Sequence, residues 1–318
     1  MSRVEAIGVD LGGTKMLLGV LDGDANVAWE SREASTGQSE DELVELLCRE
    51  VEEARAACAG VEAIGLGIPA TIDHARGVAV SAVNLPLADL PIRDLLQECS
   101  GLPVFVDNDA NVAALAEHRF GAGKGTQNMV MLTIGTGIGG GLILGGEIYR
   151  GATGAGAELG HLVIEMDGLG CQGNCPNRGC VETYASGTAL GREARAAAER
   201  EPGSVMGAML ADGRTVDGKA VTEAALGGDE TAIGVFDLVG ARLGVALASL
   251  ANVFEPEKIV LGGGVMAAGD LLLTPARREL AARALTPMNR TPVVAAELGQ
   301  DAGMIGAAAM AQTELEGG

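Results

Sequence analysis

The sequence predicts an α/β protein of two related domains facing one cleft, and three observations carry that reading. Apolar runs of strand length alternate with stretches of helical spacing. A strand, a glycine turn and a second strand occupy Ala6–Leu21, and the same pattern returns at Val130–Leu144, a weak internal repeat at about half the chain's length. With 318 residues, the chain is long enough for two domains of ordinary size.

In chain order, Ala6-Ile7-Gly8-Val9 meets Asp10-Leu11-Gly12-Gly13-Thr14-Lys15 and resumes as Met16-Leu17-Leu18-Gly19-Val20-Leu21, which reads as strand, tight turn, strand. Asn26–Ala34 is a candidate third strand. Ser39–Ala59 has helical spacing, with Asp and Glu early and Arg late, the order a helix dipole prefers. A buried strand, Ala63–Ile68, stops at Pro69. Another, Val104-Phe105-Val106, stops at Asp107-Asn108-Asp109, and a helix follows to about Phe120. Strand ends of this kind are where open α/β sheets place ligands. The second hairpin runs Val130–Ile134, Gly135-Thr136-Gly137-Ile138-Gly139-Gly140-Gly141, then Leu142-Ile143-Leu144. A polar, cysteine-bearing insertion, Gly151–Thr183, precedes helical stretches near Ala189–Glu199 and Ala232–Phe254. A last strand, Lys258–Leu261, feeds Gly262-Gly263-Gly264 and a helix.

Composition narrows the partners. A balance of 47% hydrophobic and 20% charged residues is that of a globular chain able to bury substantial cores. A formal net charge of -21 argues against nucleic acid, whose affinity comes largely from Lys and Arg displacing counterions. No run is read as approaching the roughly 18 apolar residues that span a bilayer, and Met1-Ser2-Arg3-Val4-Glu5 leads into a strand without a signal-peptide core, so no membrane partner and a cytoplasmic location are expected. The 49 glycines fall at corners between apolar runs and show no collagen-like period. Of six cysteines, Cys48, Cys58 and Cys99 are scattered and are read as buried apolar side chains, while Cys171, Cys175 and Cys180 cluster as metal ligands would.

A strand turning on two glycines beside Thr and Lys offers backbone N–H groups, a hydroxyl and an ammonium to a phosphate, with Asp10 available to hold a magnesium ion. A bare Gly-Gly turn is more often a hairpin corner. Three corners, Gly12-Gly13-Thr14-Lys15, Gly135-Thr136-Gly137 and Gly262-Gly263-Gly264, each follow a buried strand and favour one triphosphate. No Walker A pattern occurs, which excludes a P-loop enzyme. On spacing alone Asp109 suits a helix N-cap as well as a catalyst. Cys171, Cys175 and Cys180 with His161 supply three sulfurs and one nitrogen, the ligand set of a closed structural zinc site.

Together these residues resemble the ROK family of sugar kinases and sugar-responsive repressors, and within it the bacterial glucokinases. Four motifs carry the resemblance in order along nearly the whole chain: Asp10–Lys15; Asp107-Asn108-Asp109-Ala110-Asn111; Gly135–Gly141 leading to Glu158-Leu159-Gly160-His161; and the cysteine cluster closing on Gly179-Cys180-Val181-Glu182. The resemblance implies an actin-like ATPase fold (hexokinase-type, ribonuclease H-like) of two domains with an interdomain cleft. The small N-terminal α/β domain is expected over 1–108, with a C-terminal helix at about 301–318 packing back on it. The large C-terminal α/β domain, 109–300, carries a zinc-binding insertion at about 156–183.

The resemblance also implies roles. Asp109 falls on the family's general base, and Asp107 on a loop support. The implied sugar set is Asn84, Asn108, Asp109, Glu158, His161 and Glu182. The ATP set is Asp10, Gly12, Gly13, Thr14, Lys15, Thr136, Gly137, Gly263 and Gly264, Lys15 facing either phosphate or only the domain surface. Mg²⁺ with ATP and a structural Zn²⁺ on His161, Cys171, Cys175 and Cys180 are the implied cofactors. The implied activity is transfer of phosphate from ATP to glucose, with mannose, fructose or N-acetylmannosamine as alternative acceptors and a sugar-sensing repressor as the alternative of another class. The strand beginning by Ala6 and the acidic charge disfavour the repressor. A homo-oligomer, dimer or tetramer, is the expected assembly.

Two departures from the family pattern stand out. The usual run is Cys-x-Cys-Gly-x-x-Gly-Cys, whereas Gln172-Gly173-Asn174 separates the first two cysteines here, leaving open which ring nitrogen of His161 faces metal and which faces sugar. Ala70 stands where glycine often follows Gly-x-Pro. His74 and His118 have no partner pattern and are read as partly exposed surface histidines. Trp29, Tyr149 and Tyr184 are the only Trp and Tyr, so stacking is not expected to dominate sugar binding.

Overall fold

The computed structural model describes residues 4–82 and 84–317; Met1, Ser2, Arg3 and Gly318, included in the expected segments, lie outside the described residues. In chain order the elements are β1 (Glu5–Leu11), β2 (Lys15–Leu21), β3 (Val27–Ala34), α1 (Glu40–Ala57), β4 (Val61–Ile68), β5 (Ala70–Asp73), β6 (Val78–Ala82), β7 (Ala88–Leu90), α2 (Ile92–Ser100), β8 (Val104–Asn108) and α3 (Asp109–Phe120). They continue with β9 (Met129–Ile134), β10 (Ile138–Leu144), β11 (Glu147–Ile148), α4 (Val181–Ala185), α5 (Gly187–Arg200), α6 (Val205–Ala211), α7 (Gly218–Leu226), α8 (Glu230–Phe254), β12 (Lys258–Gly262), α9 (Asp270–Arg283), β13 (Val293–Ala295) and α10 (Ala302–Gly317).

Two five-stranded sheets share one topology, β3-β2-β1-β4-β8 and β11-β10-β9-β12-β13. In the first, β1 pairs antiparallel with β2, Leu11 opposite Met16, and parallel with β4, which pairs parallel with β8. In the second, β12 pairs parallel with both β9 and β13. Parallel pairing carries the ends of β1, β4 and β8 to one sheet edge, and those of β9 and β12 to one edge of the other, so the glycine corners sit where loops must leave the sheet. A third sheet, β5-β6-β7, was not legible in the sequence: its strands are short and interrupted by turns.

The chain resolves into two compact units, one formed by 1–127, 141–157 and 297–318, the other by 128–140 and 158–296. Contacts thus group α3 with the first strands, whereas the sequence reading placed the boundary at Asn108/Asp109. The reason is α10, which lies on β1 and β4 and packs its other side against α3. It is buried from Ala302 to Gln312 and is apolar around nearly its whole circumference, the pattern of a helix covered on two sides. The helix backbone comes so close that a Cβ on Gly65 of β4 would run into the carbonyl oxygen of Ala307.

The first unit's core gathers Ile7, Val9, Leu11, Met16 and Leu18 of the first hairpin with Leu43 and Leu47 of α1 and Ile64, Leu66 and Ile68 of β4. Ser39 opens α1 with a reciprocal capping box to Glu42. Cys48 of α1 and Cys99 of α2 are joined by a disulfide, their Cα atoms 6.0 Å apart, which corrects the reading of both as buried thiols; Cys58 is a free cysteine. The pairing depends on α1 packing against α2, a contact that a separation of 51 residues conceals.

The absence of a bilayer-length apolar run is also corrected. Within α8 an 18-residue window reaches a mean hydropathy of 1.7, and 56% of that window is buried inside the protein. Asp237 and Arg242 interrupt its apolar run, and Val235, Phe236, Val239, Leu243 and Leu247 form its buried face, as in the central helix of a packed core.

Candidate active site

In the first unit, β1 delivers Asp10 to the sheet edge and the chain turns at once, Gly12 N–H donating to the Lys15 carbonyl at 2.9 Å. Ser35 fixes the turn from outside through its hydroxyl to Gly12 O at 2.6 Å. Asn84 packs directly against Gly13, where an added Cβ would stand 2.8 Å from the Asn84 Cβ. Thr14 and Lys15 are exposed, and Lys15 Nζ donates to Gln300 Oε1 at 2.7 Å, which holds the ammonium at the surface of this unit. Burial, reinforced by the charge of Asp109 and opposed by Lys15, pushes the Asp10 carboxyl from 3.8 up to about 7. Asp10 and Asp109 are thus electrostatic neighbours.

At the end of β8 the helix cap falls to Asn108 and not to Asp109. Asn108 is the N-cap of α3, its Oδ1 accepting from Ala110 N–H at 2.9 Å and from Asn111 N–H, while its Nδ2 donates to Ala70 O at 3.3 Å. Asp109 is the first helical residue, partly exposed, and accepts from Ala110 N–H through Oδ1 at 2.9 Å. It sits where a helix dipole favours a negative charge. Asp107, 2% exposed, is a loop support: it accepts from Asn111 Nδ2 at 2.8 Å and from Arg150 Nε at 2.6 Å. Arg150 gave no signal in the sequence because its partner lies far off along the chain. It also lines a cavity of about 510 Å³ with His74, whose imidazole is pushed down by burial and by Arg150. His118 is partly buried and pairs through Nε2 with Thr126 O at 2.7 Å.

In the second unit the Gly135-Thr136-Gly137 corner is held from several sides. Gly135 N–H donates to Gly137 O at 2.9 Å, Gly187 N–H to Gly135 O at 2.7 Å, and the Thr188 hydroxyl to Thr136 O at 2.8 Å. Gly263 has φ +88°, and a side chain there would strike the Ile134 backbone, so this corner requires glycine. Thr136 and Gly264 line one cavity of about 540 Å³ together with Gly187, Thr188, Asp217, Lys219 and Val265. Sequence reasoning missed the last five. The usable signals were the caps Ser186 and Asp217, which start α5 and α7 at the cavity wall.

The cysteine loop lies in the same unit. His161, Cys171, Cys175 and Cys180 bring one ligand atom each to within 4.8 Å of one another. The longer Cys171–Cys175 spacing therefore still closes the set. His161 Nδ1 stands 3.5 Å from Cys171 Sγ, and Nε2 stands 3.8 Å from Glu158 Oε2, so Nδ1 faces the sulfurs and Nε2 the carboxylate. Burial raises the Cys171 thiol, and burial plus the neighbouring sulfurs pushes Cys180 up to about 12. Crowded thiols of this kind are what a thiolate-binding cation relieves, and three sulfurs with one imidazole fit zinc. Glu182, at the start of α4, accepts from Ile138 N–H through Oε2 at 2.8 Å.

The expected site residues therefore fall into two groups. Asp10, Gly12, Gly13, Thr14, Lys15, Asn84, Asn108 and Asp109 belong to the first unit. Thr136, Gly137, Glu158, His161, Cys171, Cys175, Cys180, Glu182, Gly263 and Gly264 belong to the second.

Two sheets of one topology, each ending in glycine corners beside carboxylates, define the actin-like ATPase fold of hexokinase type. The chain belongs to the ROK family, whose profile matches residues 6–314. It is 39% identical over 313 residues to a glucokinase of Streptomyces coelicolor, covering 96% of this chain and 97% of that protein. The crystal structure of a ROK family glucokinase from Streptomyces griseus, in complex with glucose and AMPPNP, superposes with a TM-score of 0.84 at 38% identity, covering 97% of this chain and 99% of the other. The xylose repressor of Bacillus subtilis is 29% identical over 248 residues, which cover 78% of this chain and 60% of the repressor.

Proposed function

We propose that this chain is a glucokinase, transferring the γ-phosphoryl group of ATP to the 6-hydroxyl of glucose. The observation that carries the reading is its near full-length likeness to a glucokinase whose structure holds glucose and AMPPNP. The first unit supplies the base. The Asp109 carboxylate, at the first residue of α3, would accept the 6-hydroxyl proton as the sugar oxygen attacks the γ-phosphorus. The new O–P bond forms as the bond to the β,γ-bridging oxygen breaks, and ADP leaves. General base help of this kind contributes about 10²- to about 10⁴-fold.

Asn84 offers an amide donor and acceptor to sugar hydroxyls, Asn108 the second N–H of its capping amide, Glu158 and Glu182 offer acceptors, and His161 offers Nε2 while Nδ1 turns to the sulfurs. Gly12, Gly13 and Thr14, and in the second unit Thr136, Gly137, Gly263 and Gly264, offer N–H groups and hydroxyls to phosphate oxygens. Lys15 joins them on leaving Gln300, a small cost for an exposed pair. The 540 Å³ cavity has the size and mixed lining that suit the nucleoside.

Asp10 would hold Mg²⁺, directly or through water, and its raised carboxyl fits a group waiting for a cation. When bound, Mg²⁺ neutralises charge on the phosphate oxygens. Zinc on His161, Cys171, Cys175 and Cys180 would brace the loop that carries Glu158, His161 and Glu182. A cytoplasmic location, where ATP is made available, and a homo-oligomer belong to the same reading; light scattering on the purified protein tests the assembly.

The deciding experiment is a coupled ADP-release assay over glucose, mannose, fructose and N-acetylmannosamine, with ATP or polyphosphate as donor. The greatest kcat/KM is expected for glucose with ATP. A greater value on another hexose would transfer the reading to that sugar. No turnover with any pair would favour a sugar sensor, the reading that the likeness to the xylose repressor supports and the net charge of -21 opposes.

A further inference from the structure

Glu182 is expected among the sugar ligands, yet its best-defined contact lies elsewhere. Its Oε2 accepts the Ile138 N–H at 2.8 Å, at the last step of the Gly135–Ile138 corner. The same oxygen fills the space beside Gly137 so closely that a Cβ on that residue would collide with it. Its Oε1 turns the other way, 3.9 Å from Cys171 Sγ. The carboxylate is thus held at Oε2, and α4, which carries it, begins immediately after Cys180.

We infer that Glu182 is a positioning residue for the nucleotide: by holding Ile138 N–H and packing against Gly137, it sets the shape of the corner on which the phosphates of ATP rest. The inference rests on the kinase reading above. It goes beyond it in giving a residue of the sugar set a direct effect on ATP affinity in the absence of sugar. The other hydrogen bonds described at the corner are neutral, among them the turn bond within it and those from Gly187 N–H and the Thr188 hydroxyl to its carbonyls. The bond from Ile138 is charge-assisted, the stronger class. Without it Gly137 gains the freedom of a glycine with nothing beside it.

The test measures ATP binding by calorimetry without sugar, and amide exchange at Ile138, for the full chain, Glu182→Ala and Glu182→Gln. Loss of a hydrogen bond to a charged group predicts a Kd for ATP weakened about tenfold or more in Glu182→Ala, with faster exchange at Ile138. Glu182→Gln keeps an acceptor oxygen of the same reach, so it should hold ATP within about threefold of the parent while the KM for glucose rises. Unchanged ATP affinity and unchanged Ile138 exchange in Glu182→Ala would overturn the inference and leave Glu182 as a sugar ligand alone. Should Glu182→Ala fail to fold, Glu182→Leu, which keeps bulk beside Gly137 but accepts no hydrogen bond from Ile138, takes its place: weakened ATP binding with faster Ile138 exchange supports the inference, and parental values for both overturn it. If the parent protein binds no ATP, the kinase reading itself fails, an outcome distinct from a parent that binds and a variant that does not respond.

Discussion

Replacing Glu117 should destabilise the first unit more than any exposed carboxylate could. The side chain is 0% exposed near the end of α3, and its two oxygens accept three backbone N–H groups: Ala122 at 2.8 Å, Glu297 at 3.1 Å and Leu298 at 2.8 Å. One carboxylate thereby ties the turn after α3 to the strand-to-helix connection that leads into α10. Bonds to a charged acceptor are each worth about 1.5 kcal/mol or more, and three would exceed about 4 kcal/mol. Glu297 is exposed, so water replaces one of them in a variant, which leaves about 3 kcal/mol for Glu117→Ala. For a unit of this size that corresponds to a fall in Tm of about 6 to about 12 °C. Glu117→Gln should recover only part of the loss, since its amide turns a donor toward a donor. Differential scanning fluorimetry on the two variants, with amide exchange at Leu298 as a local readout, checks both expectations. A Tm within about 1 °C of the parent for Glu117→Ala, with Leu298 still protected, would refute the assignment of Glu117 as a buried staple.

Asp109→Asn should lower kcat by about 10²-fold or more while calorimetry still detects ATP and glucose, as expected for a lost base; near-parental turnover would move the base elsewhere. Gly65→Ala should cost stability by forcing α10 off β4, visible as a lowered urea midpoint with an unchanged fold by circular dichroism. Metal analysis should find about one zinc per chain, and chelation should lower Tm; a metal-free protein of equal stability would remove zinc from the cysteine loop. Asp10 predicts a pH effect in the metal-free protein. Its carboxyl, raised from 3.8 to about 7, keeps a proton that the unfolded chain has lost, so this group favours folding at low pH and its contribution falls as pH rises from about 4 to about 7. Asp10→Asn should flatten the stability profile across that window and melt higher than the parent at pH 8.

The legible parts of the molecule were those written in local pattern. Both hairpins, the helix after Ser39 and the helix after Asp109 follow from apolar period and caps, which act over a few residues. The cysteine loop was legible through ligand chemistry, and its altered spacing still closes because the chain turns at Gly173, φ +58°, with Gly173 and Asn174 exposed. What stayed hidden depends on distant partners. Arg150 finds Asp107, Cys48 finds Cys99, and Glu117 finds Leu298 only once the sheets have formed. The cavity wall from Thr188, Asp217, Lys219 and Val265 was hidden for another reason: each is an ordinary residue at a helix start or loop, and its role comes from a concavity that no short window reveals. Asp109 stood between both cases, since a helix start has one cap, and only the geometry of Asn108 shows which residue takes it.

The covering of β1 and β4 by α10 sets a timetable for the chain's synthesis. These strands are made early, yet the helix that seals their face arrives about 230 residues later, a delay of about 10 to about 50 seconds at ordinary ribosomal speeds. Throughout that interval the nascent first unit presents an uncovered apolar sheet, with Gly8 and Gly65 leaving a groove shaped for a backbone that does not yet exist. The first unit is begun first and finished last, so chaperone protection during translation bears on its yield more than on that of the second, whose segments all emerge before α10.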